Sequence, residues 1–170
     1  LQNVTAVKNI LIDFGNPINP NPADATYIVK IKNGDGSFQG INFVDAVYVS
    51  MTLWPIFIGF NGDKNKILNV SQWGSTTWDN LQWAFAECIN LDINATDTPN
   101  LSQITSTFGM FYGCSSLVGA LSFNNWDTST ITNMSHMFAS ATHFNSPVGN
   151  WNTSNVTNMN WSFHYLDDFN

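Results

Sequence analysis

The sequence predicts an α/β repeat: a leucine-rich-repeat-like solenoid of about four coils, each a short strand plus a short helix or 3₁₀ turn, capped N-terminally by a small β module. Three observations lead there. Phe85, Phe111, Phe138 and Phe163 follow one another at 26, 27 and 25 residues. Trp73, Trp126 and Trp151 each stand 12 residues before one of these phenylalanines, and Pro99 takes that place in the second copy. Further apolar columns keep the same register: Trp78, Ile104, Ile131 and Val156; Cys88, Cys114, Ala141 and Leu166; Leu91, Leu117, Phe144 and Phe169. The residues between them are mostly Asn, Ser, Thr, Asp and Gly. A column that stays apolar once per repeat faces a core, and the polar spacers face water.

Taken in order, residues 1–66 read as an irregular leader and a small β module, and residues 67–170 as the solenoid. Asn16-Pro17, Asn19-Pro20 and Asn21-Pro22 make a turn-rich break inside residues 1–26. Tyr27 to Ile31 and Phe38 to Phe43 have strand composition around the turn Asn33-Gly34-Asp35-Gly36. Val44 to Met51 and Trp54 to Phe60 supply two more β-rich runs. In each coil the sequence predicts a strand just before the tryptophan position, such as Leu121-Ser122-Phe123. A polar turn, Asp127-Thr128-Ser129, comes next, and then a short helix or 3₁₀ turn over Asn133 to Ser140. Asn133 is a suitable N-cap. Met134, Met137 and Phe138 at i, i+3, i+4 share a helical face. Pro99, without an N–H and smaller than the rings it replaces, is expected to make the second coil the least regular, near Ile93 to Ala95.

Composition narrows the function. The chain has 170 residues, of which only 10% are charged, so Asn, Ser and Thr supply its polarity. That suits an extracellular, cell or virion surface. Five basic residues against 12 acidic ones give a net charge of −7. With no basic patch, nucleic acid and anionic membrane are poor partners. The longest apolar run, Leu53 to Phe60, holds Pro55 and Gly59 and is far short of the ~20 residues a membrane span needs. Leu1 opens the chain without Met or a leader, and the last copy stops one residue past Phe169. Further repeats or a docked partner are therefore expected at the C-terminal end, where Trp151, Val156, Met159, Phe163, Leu166 and Phe169 have no successor.

No catalytic, cofactor-binding or metal constellation is legible. His136, His143 and His164 lie 10, 17 and 13 residues after their respective tryptophans and form no shared column, and no phosphate loop, zinc pair or nucleophile motif occurs. Asp167-Asp168 reads as a solvated face, and Asp35 and Asp63 lack the multi-Asp spacing of a calcium loop. Cys88 and Cys114 share a column, which leaves either two buried thiols or a bridge. Eight Asn-X-Ser/Thr sequons occur, most of them written by the repeat itself.

Asn125-Trp126-Asp127-Thr128-Ser129-Thr130-Ile131-Thr132-Asn133-Met134-Ser135-His136-Met137-Phe138 closely resembles the repeat of BspA-like leucine-rich-repeat surface proteins, also described as mycoplasma-lipoprotein-type repeats. Asn150 to Met159 and Met110 to Leu117 match as further copies, and the resemblance covers roughly residues 60–170. Asn33 to Ser37 is similar to the turn of a PKD-like β-domain that often precedes such repeats. The resemblance implies a non-enzymatic secreted or surface-displayed protein acting in adhesion to a protein or glycan on another surface. The second expectation is a structural subunit of an extracellular filament, fibre or virion surface assembling head-to-tail with copies of itself.

Overall fold

The computed structural model describes residues 45–51, 54–61, 64–75, 77, 78 and 80–170. Strands β1 (Asp45–Met51) and β2 (Trp54–Asn61) pair antiparallel, from Asp45 opposite Asn61 to Met51 opposite Trp54, with the register shifting between Ala46 and Tyr48. These are the two β-rich runs expected after residue 43. A 3₁₀ turn, Lys64–Lys66, follows. Strands β3 (Asn69–Val70) and β4 (Asp92–Ile93) then pair in parallel. A second 3₁₀ turn spans Leu121–Asn125. The expected leader, the strands within 27–43 and the Asn33 to Ser37 turn lie outside the described residues.

The strand-plus-helix coil of a leucine-rich-repeat-like solenoid is not what forms. Among the described residues there is no α-helix, the longest strand after β2 has two residues, and the fold is a low-helix one of small sheets and consecutive turns. Two expected elements change identity. Leu121-Ser122-Phe123 is 3₁₀ rather than strand, and Asn133 to Ser140 is a run of turns rather than a helix. The physical reason lies in the backbone. His136 and Ser140 hold φ of 58° and 62°, so no right-handed helix can pass through them. The same pair of left-handed positions, two residues before and two after the phenylalanine, recurs as Trp83 and Glu87, as Gly109 and Gly113, and as Trp161 and Tyr165.

That backbone redirects the N–H groups. Alternate residues close i→i−3 turns, such as Ala84 to Leu81 and Met137 to Met134. The others donate to carbonyls of the following copy. Phe85, Phe111 and Phe138 donate to Met110, Met137 and Ser162 at 3.0, 2.8 and 3.0 Å, and Gly109 and His136 donate to Ser135 and Asn160 at 3.0 and 2.9 Å. Isolated parallel bridges Ser106–Asn133 and Asn133–Asn158 mark the start of the row. Left-handed backbone costs a non-glycine residue roughly 1–2 kcal/mol, and hydrogen bonds on both sides of it offset that cost. The copies thus lie in register even though no helix forms. Met134, Met137 and Phe138 still face inward, because a three-residue turn also brings i and i+3 to one side.

The polar spacers have a structural use. Oδ1 of Asn80, Asn133 and Asn158 accepts the backbone N–H two residues on, at 2.9, 3.0 and 3.1 Å, and Oγ of Ser106 does the same at 3.3 Å. A second set, Asn100, Asp127 and Asn152, repeats the motif one residue after the tryptophan position, at 3.2, 3.1 and 3.0 Å. These are Asx and Ser/Thr turns, in which a side chain mimics a backbone acceptor. Asn133 therefore caps a turn where the sequence suggested a helix cap.

The core is aromatic. Phe85, Phe111, Phe138 and Phe163 stack in one line, with ring centroids 5.5, 5.5 and 5.8 Å apart and interplanar angles of 10°, 12° and 23°. The first three are buried and Phe163 is half-buried. Phe144 stacks on Phe169 and Trp126 on Trp151 in parallel columns. Pro99 is buried, and the flanking Trp73 and Trp126 meet edge-to-face at 5.4 Å, although they belong to the first and third copies. The small proline leaves room for the two indoles to meet. Of the stretch expected to be least regular, Ile93 to Ala95, only Ile93 is strand: β4 ends there, and the backbone from Asn94 to Pro99 has no regular element. Cys88 and Cys114 are both free and buried. Cys114 Sγ donates to the Phe85 carbonyl at 2.9 Å.

Candidate functional site

The left-handed positions flank each core phenylalanine, and the side chains on them are half-buried or exposed. With neighbouring rings they form an aromatic stripe that crosses the copies. Trp83 meets Phe108 at 4.6 Å and Tyr112 at 5.7 Å. Phe108 meets His136 at 5.6 Å, and His136 stacks on Trp161 at 6.3 Å and 16°. Trp161 meets His164 edge-on at 4.2 Å, and His164 meets Tyr165 at 3.8 Å. Gly109 makes the stripe possible. A Cβ on it would sit 2.1 Å from the Trp83 ring, so only glycine lets the indole lie across the second copy.

At one end the stripe opens into a shallow depression of about 250 Å³, walled by Tyr112, Trp161 and Tyr165, with the imidazoles of His136 and His164 beside them and Ala139 and Ser140 completing it. Trp161 is 56% and Tyr165 69% exposed, unusual for rings of this size. None of the lining residues carries a carboxylate, ammonium or guanidinium. Partial burial and, second, the nearby His164 hold the His136 imidazole below its ordinary pKa, so it stays neutral at pH 7. His136 Nδ1 is buried with no hydrogen-bond partner among the described residues.

The histidines that looked unrelated in sequence are thus sorted by the fold. His136 and His164 come together at the depression. His143 lies apart, its Nδ1 2.7 Å from Asp168 Oδ2 on an exposed surface. Asp167 and Asp168 are both exposed, and Asp168 makes this contact at the surface. Asp35 and Asp63 lie outside the described residues. Among the described residues no three His, Cys, Asp or Glu side chains are grouped to hold a metal ion, and no helix is long and apolar enough to cross a membrane. The sequence reading missed Trp83, Tyr112, Trp161 and Tyr165. The available signal was Gly109 and Gly113 standing two residues either side of Phe111, which marks left-handed positions whose counterparts in other copies are aromatic or polar.

A repeating, low-charge, turn-built array with an aromatic outer stripe defines a class of protein but no chemistry. Residues 79–170, more than half of the chain, match the family described as Mycoplasma protein of unknown function, DUF285, and the chain belongs to that family. No curated protein and no solved structure matches it. The match does not extend to a leucine-rich repeat, and it begins well after the PKD-like turn.

Proposed function

We propose that this chain is a secreted or surface-displayed protein of the BspA-like kind, acting without catalysis in adhesion to protein or glycan on another surface. The observation that carries the reading is the aromatic stripe that ends in the exposed rings of Trp161 and Tyr165. Rings such as Trp161 and Tyr165 cost free energy when left in water, and the lining offers aromatic contact area together with hydrogen-bonding groups. The family and the Asn/Ser/Thr-rich, weakly charged composition support the same setting. Binding of the labelled 170-residue chain to intact animal cells, and protease shaving of intact source cells followed by immunodetection, test the two halves of the reading. Absence of binding, or a protein protected from shaving, contradicts it.

A second reading, a head-to-tail structural subunit, is favoured by a different observation. The N–H groups of Trp161, Phe163 and Tyr165 occupy the row that donates to a following copy elsewhere, yet have no partner among the described residues. An identical repeat, in the same chain or in another, presents carbonyls at the matching spacing. Light scattering over a concentration series decides it. Growth of open polymers supports assembly, and a strict monomer refutes it.

A further inference from the structure

We infer that the depression between Tyr112, Trp161 and Tyr165 is a carbohydrate-binding site that takes a neutral sugar unit, with Trp161 as its stacking platform. This rests on the adhesion reading above and names its ligand class.

The argument begins with what the lining lacks. With no lysine, arginine or acidic side chain in it, a sialylated, sulfated or phosphorylated group finds no ammonium or guanidinium, and a cationic ligand finds no carboxylate. The space is about 250 Å³, below the roughly 300–1,000 Å³ of pockets for drug-sized ligands, so it suits one ring-sized unit. The walls are the faces and edges of aromatic rings. An aromatic face is the negative end of a quadrupole and attracts the slightly positive C–H bonds on one face of a sugar ring. The lining also holds complementary polar groups, namely the Ser140 and Tyr165 hydroxyls and the His164 ring nitrogens, which can serve sugar hydroxyls as donors or acceptors. The platform is preorganised. Trp161 is held by His136 on one side and His164 on another, and Ser140 and His164 are joined by a backbone hydrogen bond of 2.8 Å. Less ordering entropy is then lost on binding. A proline-rich peptide also uses aromatic surfaces, but it needs an extended groove, whereas this depression has room for one ring-sized unit.

The test uses the whole 170-residue chain on a printed array of neutral, sialylated and sulfated oligosaccharides, together with proline-rich peptides. The expected result is binding to a set of neutral glycans. Trp161→Ala should weaken it roughly tenfold or more, the scale of losing one aromatic stacking platform. Leu121→Ser, at a residue 80% exposed and outside the lining, should leave binding unchanged. Thermal melts of both variants confirm that the fold survives, and Tyr165→Ala serves as the second variant should Trp161→Ala fail to fold. Binding only to acidic glycans or only to the peptides overturns the inference, as does neutral-glycan binding indifferent to both ring substitutions. Cells treated with periodate, which cleaves the vicinal diols of sugars, separate the two levels. Full binding to treated cells sinks the sugar site and leaves adhesion standing, whereas no binding even to untreated cells sinks both.

Discussion

Phe138→Ala is the substitution whose cost the fold predicts most sharply. Phe138 is fully buried. It stacks between Phe111 and Phe163, packs against Phe144 at 4.0 Å, and meets Phe123 and Trp151 at 6.1 Å each. Truncation removes ring contacts to two neighbouring copies and leaves a cavity bounded by other rings, which cannot collapse far. Phe→Ala at buried sites costs about 3–5 kcal/mol, and the number of ring partners places this site toward the upper end. For a chain of this size that corresponds to a fall in Tm of roughly 6–20 °C. Phe163→Ala is the internal control. That ring is half-buried and, among the described residues, stacks on Phe138 and Phe169 alone, so about half the loss is expected. Calorimetry or urea unfolding of both variants provides the comparison. A Phe138→Ala protein within 1 kcal/mol of the parent, on the order of an ordinary surface change, would refute the stacked-ring account.

Three further outcomes are expected. Burial pushes the Cys88 thiol up to about 12 and the Cys114 thiol well above its ordinary range. Iodoacetamide at pH 8 should therefore label neither in the native protein and both after denaturation, and rapid native labelling would count against the packing around Cys114. Gly109→Ala places a Cβ 2.1 Å from the Trp83 ring on backbone at φ 62°, so it should destabilise by more than ~1 kcal/mol and shift tryptophan fluorescence as that indole is displaced. The lowered pKa of His136 means that its contribution to stability is present above the ordinary imidazole value of about 6.5 and is lost as pH falls through the folded value. Tm should therefore drop between pH 7.5 and 5.5, and drop less in His136→Gln; an equal drop in both would place the effect elsewhere.

The inward columns were legible because burial follows a period that survives in the sequence whatever the backbone does. Phe85, Phe111 and Phe138 had to share a line once the copies lay in register. The secondary structure was not legible, because i, i+3 spacing fits an α-helix and a chain of three-residue turns equally well. The difference is set by the sign of φ at positions such as His136 and Ser140, which are not glycine and give no local sign of it. The candidate site was hidden for the same reason. Trp83, Gly109, His136 and Trp161 share one column, yet their side chains have nothing in common except the backbone conformation beneath them.

Amide hydrogen exchange tests the central claim, that alternate N–H groups bond from each copy to the next through left-handed turns. The N–H groups of Phe85, Gly109, Phe111, His136 and Phe138 donate across copies, whereas those of Trp161, Phe163 and Tyr165 in the same row have no acceptor among the described residues. Residue-resolved exchange on the 170-residue chain should show the first set protected and the second exchanging far faster, with Ser162 and His164, which close turns to Met159 and Trp161, slower than their neighbours. Uniform protection across residues 133–140 and 158–165, as continuous helices would give, or uniformly fast exchange throughout both stretches, would contradict the account.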